Sequence, residues 1–107
     1  KFLNDLYEEL HNSIDDIAEQ IRSMDNFAPG SLARMVELSE IKEDAQIPKP
    51  NKMFQNLYDA NETVLACLDE CFRLADENKA WGWQDFVAGR IQTHKKHRWM
   101  MRSLLKQ

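Results

Sequence analysis

Leu3, Leu6, Leu10, Ile14, Ile17, Ile21 and Met24 recur at steps of three and four residues through the first two dozen positions. That rhythm belongs to an amphipathic helix, because side chains three and four apart stack on one face. At about 100° per residue, with Leu10 as origin, all seven lie within roughly 40 to 50° of one direction. A strand needs alternation with period two, and no segment sustains it over a useful length. Only three glycines and three prolines interrupt the 107 residues. The fold class is therefore all-α.

A second stripe runs along the same helix. Glu8, His11, Asp15 and Glu19 fall between about 100° and 180° on the wheel, off the apolar face. They point along the flank or outward, where solvent or another chain meets them. Asp15 and Glu19, four apart, stand one turn above each other and can share one hard cation. A solvated acidic face has the same spacing, so the pattern alone leaves both readings open.

Composition narrows the classes. Hydrophobic residues make up 43% and charged residues 30%, a balance that suits a globular chain and not disorder. The length fits one domain over residues 1–107. No apolar run reaches membrane-spanning length, so neither a signal peptide nor a membrane partner is expected. The formal charge of −4 argues against sequence-independent DNA binding by the folded body, which needs a basic patch. Cys67 and Cys71, four apart on a helix, are badly placed for a disulfide and read as small core hydrophobes.

Along the chain, the first helix runs from the N-terminus to about Ser23, and Met24–Gly30 breaks it, with Pro29-Gly30 as the turn signal. Ser31 caps a short helix whose apolar side is Leu32, Met35 and Val36. Lys42 to Lys52 reads as a connecting loop. The next long helix covers about Lys52 to Glu77, with Met53, Phe54, Leu57, Val64, Leu65, Leu68, Phe72 and Ala75 as its seam. Asn78-Lys79 ends it. The last helix covers about Gln84 to Leu105, with Trp83, Val87, Ile91, His94, Met101 and Leu105 on one face. Three long amphipathic helices leave a seam that a fourth would close. The first helix starts without a capping residue, so an upstream segment is expected to be missing.

Several segments together resemble one family. Ile14–Ile21 (IDDIAEQI) resembles the signature of the Dps proteins, the starvation-induced mini-ferritins. Ser31–Lys42 (SLARMVELSEIK) is similar to the short helix midway through that fold. Arg90–Lys96 (RIQTHKK) and Trp99–Ser103 (WMMRS) are similar to its closing helix. The order and spacing match over essentially the whole chain. The resemblance implies a ferritin-like four-helix bundle lacking its first helix in this chain, with a short helix in the central connection. It also implies a shell of twelve identical subunits that oxidises Fe2+ with hydrogen peroxide or dioxygen between two-fold-related subunits. Such a shell stores the ferric product and protects DNA. On this resemblance Asp15 and Glu19 are iron ligands, and a cytoplasmic, nucleoid-associated bacterial location follows. Carboxylates suit the chemistry, since they hold ferrous iron and leave positions open for oxidant.

Two histidines that family members add from the facing subunit have no counterpart here. The parent protein is therefore expected to be a ferroxidase, and the 107-residue chain alone inactive or misassembled. Glu8-x-x-His11 matches half of a di-iron bundle motif, but no second Glu-x-x-His accompanies it, so His11 reads as a partly exposed polar residue. His94 lies on the apolar face and reads as an interior histidine. His97, between Lys96 and Arg98, reads as part of a solvated cationic helix end. Asp85 aligns with an acidic residue of the family's three-fold iron pores, while Trp81 and Trp83 nearby suggest an altered pore or a packing plug. The basic tail that carries DNA binding in some members is not part of this chain. Arg98, Arg102 and Lys106 are too few to replace it. The alternative function is a helical oligomerisation or scaffold module that keeps the fold without metal chemistry.

Overall fold

The computed structural model describes residues 1–42 and 47–106, apart from the side chain of Leu32. Four helices appear in order: α1 (Phe2–Ser23), α2 (Leu32–Leu38), α3 (Pro50–Glu77) and α4 (Trp81–Leu105). There is no strand among the described residues. Contacts divide the chain into two units, 1–39 and 40–107.

In the first unit, α1 ends where the sequence expects, but not by the expected device. Asp25 adopts φ 63°, and the Asn26 and Asp25 amides donate back to the Ile21 and Arg22 carbonyls. Those two bonds form a Schellman motif, which satisfies carbonyls the helix would otherwise leave bare. Arg22 reinforces the turn: its Nη1 donates to the Asn26 carbonyl at 3.1 Å, and its guanidinium lies 4.4 Å over the Phe27 ring. Ser31 caps α2 as expected, its Oγ accepting from the Arg34 amide at 3.1 Å. Met35 and Val36 on α2 are exposed, and Leu32 falls outside the described side chains.

The apolar stripe of α1 is wider than the part of it that is covered. Leu6 and Ser13, seven apart, are buried, whereas Leu3, Leu10 and Ile14 stay exposed. The open edge is the one adjoining the acidic stripe, and Tyr7 extends it.

The second unit is a helical hairpin. Lys49 precedes α3, and Pro50 takes the first helical position, where its missing N–H costs nothing. Residues 43–46 of the connecting loop expected over 42–52 lie outside the described residues. At the far end Lys79 adopts φ 55°, and the Ala80 and Lys79 amides close a second Schellman motif on the Ala75 and Asp76 carbonyls. This turn is so short that α4 begins at Trp81, three residues before the sequence suggests. The Gln84 amide already donates to the Ala80 carbonyl at 2.8 Å.

Cross-links between α3 and α4 set an antiparallel register. Gln84 reaches Asp76 at 3.2 Å, His94 pairs with Asn61, and Arg102 Nε donates to the Tyr58 hydroxyl at 3.0 Å. The apolar interior holds Leu65, Ala75, Val87 and Met101. From the expected seams, Met53 and Phe72 on α3 and Leu105 on α4 are instead exposed. On the outer surface of α3, Arg73 pairs with Glu70 and Glu77, and its guanidinium holds the Glu70 carboxyl below the usual range.

Candidate metal centre

Asp15 and Glu19 are both exposed on the uninterrupted middle of α1. Four residues at about 1.5 Å rise place their Cα atoms roughly 6 Å apart along the axis, one turn over the other. On the helical wheel they point about 120 to 180° away from buried Leu6 and Ser13. The outward orientation read from the sequence therefore holds within this helix. Glu8 and His11 continue the same face, both exposed, and the His11 ring lies parallel to Tyr7 with centroids 6.1 Å apart.

Two carboxylates are a partial donor set. Among the described residues no group of three or more His, Cys, Asp or Glu side chains converges to hold a metal ion. What α1 presents is an outward pair of hard oxygen donors that suits a divalent cation once another surface adds ligands. Asp85 is exposed in the early turns of α4. Trp83 packs against Phe86 at 5.6 Å between centroids, whereas Trp81 stays exposed, so only one of the two tryptophans is engaged.

The cysteines differ from the core hydrophobes expected, since both are half-buried. The Cys67 thiol donates to Glu40 Oε2 at 3.1 Å. That hydrogen bond, then burial, then the Glu40 charge push its pKa up to about 11. The Cys71 thiol is also raised, first by burial and then by the Glu70 charge. Both are protonated near neutrality, which makes them poor soft-metal ligands.

The histidines of α4 divide differently from the sequence reading. His94 is 4% exposed, an interior histidine as expected, but His97 is 7% exposed and not part of a solvated end. Its sequence neighbours Lys95, Lys96 and Arg98 point elsewhere, while His94 and Met101, three and four residues away, share its buried face. The two rings meet edge to face with centroids 5.3 Å apart. Asn61 completes this polar interior. It donates from Nδ2 to the His94 carbonyl at 3.0 Å and meets His94 Nδ1 with Oδ1 at 2.9 Å. Arg90 Nη2 lies 2.7 Å from His94 Nε2. Since arginine only donates, the assignment satisfying both contacts protonates Nδ1 and leaves Nε2 as acceptor. The spacing of Leu57, Asn61 and Leu65 held a signal for this residue, because Asn61 occupies a seam position between two leucines.

The family model for the ferritin-like domain matches residues 1–107. A low temperature-induced protein of Nostoc is 34% identical over 101 residues, which cover 92% of this chain and 56% of that protein. The chain thus spans little more than half the length of that relative. DNA protection during starvation protein 2 of Bacillus anthracis is 27% identical over 103 residues, covering 96% of this chain and 70% of that one. The crystal structure of Dps from Staphylococcus aureus superposes with a TM-score of 0.89 at 25% identity, over 95% of this chain and 68% of the other. The chain belongs to the ferritin-like domain family and, within it, to the Dps proteins.

Proposed function

We propose that the protein is an iron-handling shell protein of the Dps kind. It binds Fe2+, oxidises it with hydrogen peroxide or dioxygen, stores the ferric product inside an assembly of its own copies, and so protects DNA. Asp15 and Glu19 carry this reading: two exposed carboxylates one turn apart, directed away from the buried line of their own helix. In this role they hold the ferrous substrate, and the remaining donors come from a facing copy. Each ferrous ion gives up one electron, so two ions reduce one hydrogen peroxide to water. The carboxylates bind the ferric product more strongly than the ferrous substrate, which favours the oxidation. The exposed apolar edge of Leu3, Leu10 and Ile14 beside the acidic stripe suits a surface met by such a copy. Asp85 is the candidate residue for guiding cations into the assembly. No helix among the described residues is long and apolar enough to cross a membrane, and the proposed location is the bacterial cytoplasm.

Stopped-flow oxidation of added Fe2+ tests the reading. Asp15→Asn and Glu19→Gln should each lower the rate at least about tenfold while leaving helix content unchanged, since even outer-shell partners of metal sites are worth that much. Wild-type-like rates in both variants would overturn the assignment. An unsubstituted protein that assembles but neither oxidises nor retains iron would leave the fold as a scaffold without metal chemistry.

A further inference from the structure

His94 and His97 are titratable groups buried in the hairpin, and neither belongs to the proposed metal centre. Burial disfavours the charged form of an imidazole, and the partners around the ring decide whether a proton can be accommodated.

Around His94 those partners fix the neutral form atom by atom. The His94 backbone carbonyl can only accept, so the Asn61 amide nitrogen, 3.0 Å away, is the group turned toward it. The Asn61 amide oxygen then faces Nδ1 at 2.9 Å, and Nδ1 carries the hydrogen. Nε2 keeps its lone pair, which accepts from Arg90 Nη2 at 2.7 Å. An amide on α3 and a guanidinium on α4 thus dictate the same tautomer. A proton added to this ring goes to Nε2, where it meets a guanidinium that has no lone pair to offer.

The charges nearby act in the same direction. On α4, Arg90 and Arg98 stand one turn to either side of His94, and the His97 ring lies against it with centroids 5.3 Å apart. The helix packed along α4 is α3. It brings the neutral Asn61 amide, the Glu62 carboxylate, which Arg98 approaches at 3.5 Å, and the Tyr58 hydroxyl, which accepts from Arg102. An imidazolium at position 94 adds a third positive charge to the column Arg90–His94–Arg98.

We propose that His94 is a proton-operated latch between α3 and α4. As a neutral imidazole it ties Asn61 to Arg90, and protonation at Nε2 breaks the Arg90 arm and loosens the hairpin in mildly acidic solution. The Asn61 arm survives, since Nδ1 donates in both forms, so the response is a local opening and not complete unfolding. Its sign follows from the neutral ring. The closed hairpin excludes a proton that the opened one accepts, so the latch is whole above about pH 6.5 and weakens as pH falls below it. This goes beyond the iron reading and does not depend on it.

Amide hydrogen exchange, resolved to peptides of α3 and α4 and corrected for the intrinsic pH dependence of exchange, tests the latch. Protection around Asn61 and His94 should fall about five- to tenfold between about pH 7.5 and 5.5, as expected when opening takes up one proton on a histidine of ordinary value, about 6.5. His94→Asn keeps a donor toward Asn61 but does not titrate, and the fall should shrink below about twofold. Arg90→Gln offers an amide oxygen that accepts from a protonated Nε2, so it should flatten the profile as well. His97→Asn should keep the full fall. A flat profile in the unsubstituted protein would overturn the proposal. So would a fall that persists in Arg90→Gln, or one that follows His97 instead of His94. If His94→Asn does not fold, the Arg90→Gln profile decides by itself.

Discussion

Asn61 on α3 and His94 on α4 exchange two contacts across the hairpin, amide to backbone carbonyl at 3.0 Å and ring nitrogen to amide oxygen at 2.9 Å. Both residues are buried, so the pair matches polar groups one to one at a fixed point of the register. Sliding one helix by a turn would break both contacts between Asn61 and His94, at a cost of about 1–3 kcal/mol for each buried group that loses its partner. The apolar neighbours supply burial without comparable directionality.

Removing one member should therefore cost more than removing a solvent-exposed hydrogen bond. Asn61→Ala strands the His94 ring N–H and backbone carbonyl, and denaturant unfolding should show a loss of about 1–3 kcal/mol. A double-mutant cycle with His94→Ala should return a coupling between the two sites above about 0.5 kcal/mol. Additive effects would show that the two residues act separately.

Both helix ends of the hairpin and of α1 offer a stability gain. Lys79 holds φ 55° without a side-chain amide or carboxylate to ease the left-handed conformation. Lys79→Gly removes that penalty and should stabilise the second unit by about 0.5–1 kcal/mol after the added chain entropy of glycine is offset. The melting temperature should rise by a few degrees. Asp25→Gly at φ 63° should give less, because aspartate tolerates this region better than lysine.

These same turns explain how far the sequence could be read. The period of three and four residues exposed every long helix, since that spacing and the helical repeat are one fact. It also gave the outward direction of Asp15 and Glu19, because angle around a helix depends on residue number alone. Helix ends were harder: glycine normally marks the left-handed position, and here Asp25 and Lys79 occupy it. His97 departs from the sequence expectation because flanking lysines and arginine dominate a linear view, whereas the residues that share its buried face are His94 and Met101. The Cys67–Glu40 contact joins residues 27 apart, which no local pattern encodes. Any further ligands for the proposed Asp15–Glu19 site are not legible for a different reason, since the proposal draws them from another surface.

Cys67 should react slowly despite its partial exposure. With a thiol pKa near 11 instead of 9.0, its thiolate fraction at pH 8 is roughly 100-fold lower than that of an unperturbed cysteine. Iodoacetamide labelling resolved by peptide mapping, which separates Cys67 from Cys71, should show that lag. Glu40→Gln removes the carboxylate and should speed labelling of Cys67 while sparing Cys71. The linkage has a definite sign. A pKa raised in the folded state gives stability that is full below about pH 9 and lost as pH rises toward 11. Glu40→Gln should accordingly flatten the alkaline limb of the stability profile, and an unchanged limb would argue against the contact.

Substitution at Asp85 tests the proposed iron entry apart from the proposed iron oxidation. It is exposed in the early turns of α4, four residues from Trp81, and no cation pairs with it among the described residues. If copies of Asp85 gather around an opening of the assembly, their combined field raises the local Fe2+ concentration, and salt screens that effect within a Debye length of about 10 Å at 0.1 M. Asp85→Asn should then slow multi-turnover iron loading several-fold at low ionic strength, with the deficit shrinking as salt is added. Asp15→Asn, acting on bound iron, should lower the rate at every ionic strength. Two variants with the same salt dependence would assign Asp85 to the oxidation site or to neither role. A deficit in Asp85→Asn that persists at high salt would remove the field argument, because short-range ligation is the interaction that salt leaves intact.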